Sequence, residues 1–314
     1  MQTHTQSVTA PDGARLFVRR WTPEGPAKAV VQIVHGMAEH GGRYARFAER
    51  LTAAGYAVVV SDLRGHGQTA DASSPDHLYF GDANGFATVV EDLHAVTDVA
   101  RSEHPDLPVI LLGHSMGSFL ARAYAIRWGS DLTALVLTGT SADQGLVRIA
   151  GQNLARLQAR LLGRRHRSKM LDSMASGRFN SAFKPNRTPF DWLSSDAAEV
   201  DAFVADPACG NLFTTGAWLD QVEALVWVNK DANVSGVPKD LPILLASGEQ
   251  DAVGAMTKGV RRVADQFRRV GVRDVTTIFY PGARHEVLNE TSRDEVMDDI
   301  VEWLDAQLAA RTTS

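Results

Sequence analysis

The chain has 314 residues, 44% of them hydrophobic, a single cysteine and a formal net charge of −5. That length and apolar content describe one large globular domain, or a domain carrying a substantial insertion, and exclude a disordered chain. The acidic balance gives no reason to expect nucleic acid as a partner, the lone Cys209 excludes an internal disulfide, and no Cys/His cluster has the spacing of a zinc site, so no metal is expected.

Met1 to Gln6 is polar and lacks the charged start and apolar core of a signal peptide, and no later run approaches membrane-spanning length. The expectation is a cytoplasmic protein, with peripheral visits to a membrane left open. Residues 7–10 and 16–21 read as strands joined by the turn signal Pro11-Asp12-Gly13, an antiparallel hairpin at a sheet edge. The pattern then changes. Residues 29–34, 57–61, 109–112, 134–137, 243–246 and 276–280 are short apolar runs, mostly rich in β-branched residues, the mark of parallel strands buried on both faces. Between them lie helical patterns at 44–54, 83–103, 119–127, 258–270 and 294–308. The alternation predicts an α/β fold with a mostly parallel, doubly wound sheet whose functional loops leave the carboxyl ends of the strands. Residues 309–314 read as a frayed tail.

Behind the run 109–112 stands Gly113-His114-Ser115-Met116-Gly117. A Gly-x-Ser-x-Gly between a buried strand and a helix is the setting of a nucleophile elbow, where the serine sits on a strained turn that only small flanking residues permit. Ser115 is therefore the candidate nucleophile. Its partners should follow in the order acid, then histidine. Asp251, in the loop after the strand at 243–246, and His285, in the loop after 276–280, fit that order and lie at the same sheet edge. Asp251 read alone is a loop acid capping a helix, but that reading weakens once the order is matched. Glu249 and Glu286 compete as carboxylates and read as solvated neighbours.

An oxyanion hole needs two backbone N–H groups. Met116, after the nucleophile, supplies one, and Met37 in the loop His35-Gly36-Met37-Ala38-Glu39-His40 supplies the other. Asp62, Arg64 and His66 read as braces for these loops, and His114 as a local packing residue.

From residue 141 to 240 the strand–helix alternation stops. The expected division is a catalytic domain at 1–140 and 241–314 with an inserted helical cap at 141–240. Residues 145–170 hold seven Arg/Lys and no Asp/Glu, with leucines at helical spacing. Such a surface helix packs its leucines on the core and leaves its arginines in solvent. The alternative is a face that docks transiently on a membrane or micelle. Phe179, Phe183, Phe190, Trp192, Phe213, Trp218 and Trp227 read as cap core.

With His35-Gly36-Met37-Ala38-Glu39-His40, Gly113-His114-Ser115-Met116-Gly117, Asp251 and Arg284-His285-Glu286, the chain resembles the monoacylglycerol lipase and lysophospholipase branch of the α/β-hydrolases. The likeness extends into the cap at Pro189-Phe190-Asp191-Trp192-Leu193-Ser194 and Val204-Ala205-Asp206-Pro207. The resemblance implies hydrolysis of a small lipophilic ester through an acyl-serine intermediate under a lipophilic cap, with no cofactor and no metal. Two positions depart from the family pattern: Ala38 stands where glycine is usual, and Leu63 where histidine is common. They bear on substrate preference, since neither removes a catalytic atom.

Two other functions fit the same residues. An aminopeptidase-like amide hydrolase would need a cap carboxylate for a free amine, and Glu199, Asp201 and Asp206 are the candidates. A binding protein that senses an apolar ligand without turnover is the other, disfavoured by an intact triad. Dehalogenase chemistry needs a carboxylate nucleophile, and position 115 is serine.

Overall fold

The computed structural model describes residues 1–71, 73–143 and 145–312. Eight strands form one sheet in the order β1-β2-β4-β3-β5-β6-β7-β8. β1 (Gln2–Thr9) and β2 (Arg15–Thr22) make the expected hairpin, and β2 runs antiparallel to β4 (Tyr56–Ser61). β3 (Ala29–Val34), β5 (Val109–His114), β6 (Ala134–Thr138), β7 (Ile243–Gly248) and β8 (Val275–Tyr280) complete it, and every pairing from β4 onward is parallel.

Successive side chains of the apolar strands serve opposite faces. Leu111 and Leu135 enter one core with Val89 and Leu93 of α2 (Gly85–Glu103), Leu120 of α3 (Met116–Trp128) and Phe267 of α10 (Lys258–Arg269). Ile110, Leu112 and Val136 enter the other, with Phe47 and Leu51 of α1 (Ala45–Ala53) and Ile300 and Leu304 of α11 (Arg293–Thr312). Burial on both faces is why these strands are continuously apolar.

The chain leaves β3 toward β4 on one side and later fills β5 on the other, so β3 and β5 flank the point where the winding reverses. Loops at such a point diverge and leave a crevice. The loop after β3 and the elbow after β5 share it.

Among the described residues the segment 141–240 adds no strand to the sheet; an isolated bridge joins Arg167 to Thr214. It holds α4 (Leu146–Leu162), the short α5 (Lys169–Asp172) and α6 (Arg178–Asn180), then α7 (Ala197–Ala205), α8 (Thr215–Val228) and the single turn α9 (Asp231–Val234). α8 packs against α2, α3 and α4, and its Ala217 and Val228 belong to the core that holds Val89 and Tyr124. Arg122 of α3 fixes both roots of the segment. Its guanidinium, 1% exposed, donates to Ser141 O (3.1 Å), Val228 O (2.8 Å), Asn229 Oδ1 (3.1 Å) and Gln266 Oε1 (3.3 Å). No carboxylate faces it, and burial pushes its pKa down to about 9.

Three expectations change. α4 buries only part of its leucine face: Leu154 packs on the core, but Leu157, Leu161 and Leu162 are 54%, 69% and 57% exposed, and Ala155 and Gly151 line the cavity. α3 begins at Met116, directly after Ser115, three residues before the helical pattern at 119–127. α11 continues to Thr312 instead of fraying at Ala309, and Thr313 and Ser314 lie outside the described residues.

Candidate active site

Ser115 follows the last residue of β5 with φ 51° and ψ −120°, a conformation that costs a non-glycine residue on the order of 1–3 kcal/mol. Its N–H donates to Thr138 O at 2.9 Å, which holds the strained turn against β6. The flanking glycines are sterically required. A Cβ on Gly113 would stand 2.4 Å from Gly117 O, and one on Gly117 would stand 2.2 Å from Val34 O.

The sharp turn presents Ser115 Oγ to His285, and the hydroxyl donates to His285 Nε2 at 2.9 Å. His285 Nδ1–H donates to Asp251 Oδ1 at 3.0 Å, and the same carboxylate oxygen accepts from Val253 N at 2.9 Å. Asp251 and His285 are both buried. Burial pushes His285 down, but the charge and hydrogen bond of Asp251 outweigh it and raise the imidazole above its ordinary value. An imidazole set this way can accept a proton from the hydroxyl that it faces.

The loop after β3 lies across the elbow. Ala38 is left-handed at φ 52°; its N–H donates to His66 Nε2 at 3.3 Å and its carbonyl accepts from Gly210 N at 2.9 Å. His35 Nδ1–H donates to Gly36 O at 2.8 Å, and its Nε2 accepts from Leu63 N at 2.9 Å. Burial lowers the pKa of both His35 and His66, which keeps them neutral as these bonds require. Asp62 accepts from Gly41 N (2.8 Å) and Gln68 N (2.7 Å), and Arg64 pairs with Asp92 (2.8 Å). Asp62 and His66 brace the loop, as the sequence suggests, whereas Arg64 ties the segment to α2 and the first hairpin. Among the described residues the N–H groups of Met37 and Met116 have no acceptor, and both residues stand beside Ser115. His114 bonds Thr138 Oγ1 at 2.9 Å, a local role.

Glu286 is not the solvated neighbour that its sequence position suggests. It is buried, and Arg43 bonds both its oxygens at 2.7 Å while also reaching Glu39 at 2.6 Å. Glu39 in turn accepts from Gly36 N and from Tyr44 Oη. Burial pushes Glu39 up, but the Arg43 charge outweighs it and holds the carboxyl down to about 2. Glu286 is lowered by the same guanidinium against the same burial. One arginine thus joins the oxyanion-loop side to the residue after His285. Arg43 went unremarked in the sequence because only its spacing of four from Glu39 hints at the pair, and Glu286 lies 243 positions away. Glu249 is exposed.

A cavity of about 1370 Å³, its open mouth included, lies above Ser115 between the sheet edge and the segment 141–240. Phe179, Phe190, Trp192 and Trp218 belong to the hydrophobic clusters of the segment, as read from the sequence, and also line the cavity, whereas Phe183, Phe213 and Trp227 do not line it. The Trp192 ring stands 5.0 Å from the His285 ring. None of the three cap acids lines the cavity: Glu199 pairs with Arg46 (2.6 Å), Asp201 with Arg187, and Asp206 with His40 (2.9 Å).

His40, Asp206 and Cys209 gather near the oxyanion loop, but their chemistry does not suit a cation. Gly42 N–H donates to His40 Nδ1 at 3.1 Å, so Nε2 carries the proton and donates it to Asp206 Oδ2. No imidazole lone pair is left for a metal, and burial pushes the Cys209 thiol far above its ordinary pKa.

A family model described as serine aminopeptidase, S33 matches residues 25–292. The chain is 32% identical over 304 residues to a monoacylglycerol lipase of Mycolicibacterium smegmatis, covering 94% of this chain and 95% of that one. It is 29% identical over 311 residues to the monoglyceride lipase of Homo sapiens, covering 96% and 91%. Among solved structures, a highly thermostable carboxyl esterase from Bacillus coagulans in complex with glycerol superposes with a TM-score of 0.91 at 29% identity, covering 98% of this chain and 99% of that one. Joined to an ordered serine, aspartate and histidine on one sheet edge, these likenesses mean that the chain belongs to the serine aminopeptidase S33 family of α/β-hydrolases and is a serine ester hydrolase.

Proposed function

We propose that the chain hydrolyses monoacylglycerol- or lysophospholipid-like esters through Ser115, His285 and Asp251, with Met37 and Met116 N–H as the oxyanion hole. The observation that carries it is the relay from Ser115 Oγ to His285 (2.9 Å) to Asp251 (3.0 Å) at the floor of an apolar cavity. His285 takes the Ser115 proton as Oγ attacks the ester carbonyl, and the two N–H groups receive the charge that develops on oxygen. His285 then hands the proton to the leaving alcohol, so the alcohol occupies the His285 side, beside Glu39, Glu286 and Trp192. The acyl chain lies on the opposite side, against Phe119, Ala155, Leu171 and Leu225. Water, activated by His285, releases the acid. The relatives named as monoacylglycerol lipases support the substrate class, and Glu199, Asp201 and Asp206 are engaged by Arg46, Arg187 and His40 outside the cavity. Residues 141–240 act in this reading as the cap that selects the ester.

The test is an ester panel over chain length and head group run beside Ser115→Ala. Monoacylglycerols should outpace an aminoacyl amide, and the variant should lose several orders of magnitude in turnover. Near wild-type turnover by the variant overturns the assignment.

We further propose that α4 rests on a lipid surface. Among the described residues no helix is long and apolar enough to cross a membrane. Yet Leu157 and Leu161, one turn apart, are exposed beside Leu162 and Met170, and Arg160 and Lys169 have no acid partner among the described residues. Exposed apolar side chains flanked by cations suit the boundary of an anionic bilayer. Arg164 and Arg165 already pair with Asp220 and Asp76, so the leucines are the informative substitutions. Replacing Leu157 and Leu161 by Gln should weaken co-sedimentation with anionic vesicles and leave turnover of a soluble short ester intact; equal loss of both overturns the docking role.

A further inference from the structure

The acyl side of the cavity contains a donor and an acceptor with nothing to bond. Trp218 Nε1 and Gln221 Oε1 are buried atoms without a hydrogen-bond partner, and both residues line the cavity. They lie three positions apart on α8, so they share a helix face and meet the cavity one above the other. The indole is 7% exposed and braced edge-on by Phe213, with ring centroids 5.9 Å apart. Thr214 caps the helix below it through Ala217 N at 3.2 Å. Asp220, between the two, turns away and pairs with Arg164 at 2.9 Å. The same cavity is lined by Phe119, Ala155, Leu171 and Leu225, none of which can complete either bond.

A purely alkyl chain passing this face leaves both buried atoms unpaired, so neither recovers the hydrogen bond it lacks. A hydroxyl is the small group that answers both, accepting from an indole N–H and donating to an amide oxygen. Trp192 Nε1 is also unpartnered, but it stands on the His285 side and belongs to the alcohol end.

We propose that the Trp218–Gln221 face of α8 selects esters whose acyl chain carries a hydroxyl in its distal half. The inference rests on the ester reading above, since that reading places the acyl chain against α8.

The test uses p-nitrophenyl dodecanoates bearing one hydroxyl stepped along the distal half of the chain, against the plain ester and the methyl-branched isosteres. For at least one position kcat/KM should exceed that of the isostere by about five-fold, the worth of one neutral hydrogen bond whose partners are otherwise unmet. Trp218→Phe, which keeps the ring and loses the N–H, and Gln221→Met, which keeps the length and loses the amide, should each erase most of that preference. A hydroxyl that lowers kcat/KM at every position overturns the proposal, as does a preference that survives both substitutions. Binding of the free hydroxy and plain acids to Ser115→Ala, read by calorimetry, reports the same preference without turnover. Equal affinities there overturn the proposal while ester hydrolysis stands. A hydroxy-acid preference without any ester turnover by the wild type instead upholds the α8 face and sinks the esterase reading.

Discussion

Arg43→Met removes the one cation between two buried carboxylates. Arg43 contacts Glu39 at 2.6 Å and Glu286 at 2.7 Å, and each of the three side chains is no more than 11% exposed. A carboxyl held at about 2 instead of the ordinary 4.5 reports about 3 kcal/mol of preference for its charged form. Breaking such a buried network by removing one partner costs about 3–5 kcal/mol. The pH dependence should also reverse sign. In the wild type, the depressed Glu39 contributes stability that is present above 4.5 and lost only as the pH falls through about 2, so nothing changes between about pH 5 and about pH 7. In the variant one of the facing carboxylates keeps its proton, its folded pKa rises above the unfolded value, and stability declines as the pH climbs. Urea denaturation of both proteins at about pH 7 and about pH 5 measures this directly. The deficit should be several kcal/mol at the higher pH and smaller at the lower. A deficit under about 1 kcal/mol, or one equal at both pH values, refutes the reasoning.

Asp251→Asn should remove the charge that raises His285 while burial remains, so the acid limb of kcat/KM moves from above 6.5 to below it, and the plateau drops by about four orders of magnitude; a pH–rate profile with an unmoved limb contradicts this. Gly117→Ala drives a methyl to 2.2 Å from Val34 O and 2.5 Å from His35 O, so the elbow must shift and kcat should fall about 100-fold, measured in single-turnover acylation. Arg122→Met strands the carbonyls of Ser141 and Val228 at the roots of the cap. It should lower the unfolding midpoint by several degrees and raise KM for a long-chain ester more than it changes kcat for a short one, which steady-state kinetics with the two esters resolves.

The strands and the triad were legible because each is encoded locally. A run such as Val109-Ile110-Leu111-Leu112 declares a strand buried on both faces, and the chain order Ser115, Asp251, His285 needs no distances to be read. What escaped is non-local. The leucines of α4 obey helical periodicity, but periodicity does not say which face meets protein, and here the face of Gly151, Leu154 and Ala155 does while Leu157 and Leu161 stay exposed. Glu286 looked like a loop acid because its partner Arg43 enters from another crossover. Arg122 carried no signal at all: its acceptors are backbone carbonyls and amide side chains, which no pattern of residue types announces.

The bond from Gly210 N to Ala38 O stitches the segment 141–240 to the loop that carries Met37, and the His40–Asp206 pair reinforces the seam. A cover sewn along one edge cannot lift there without unshaping the backbone beneath it.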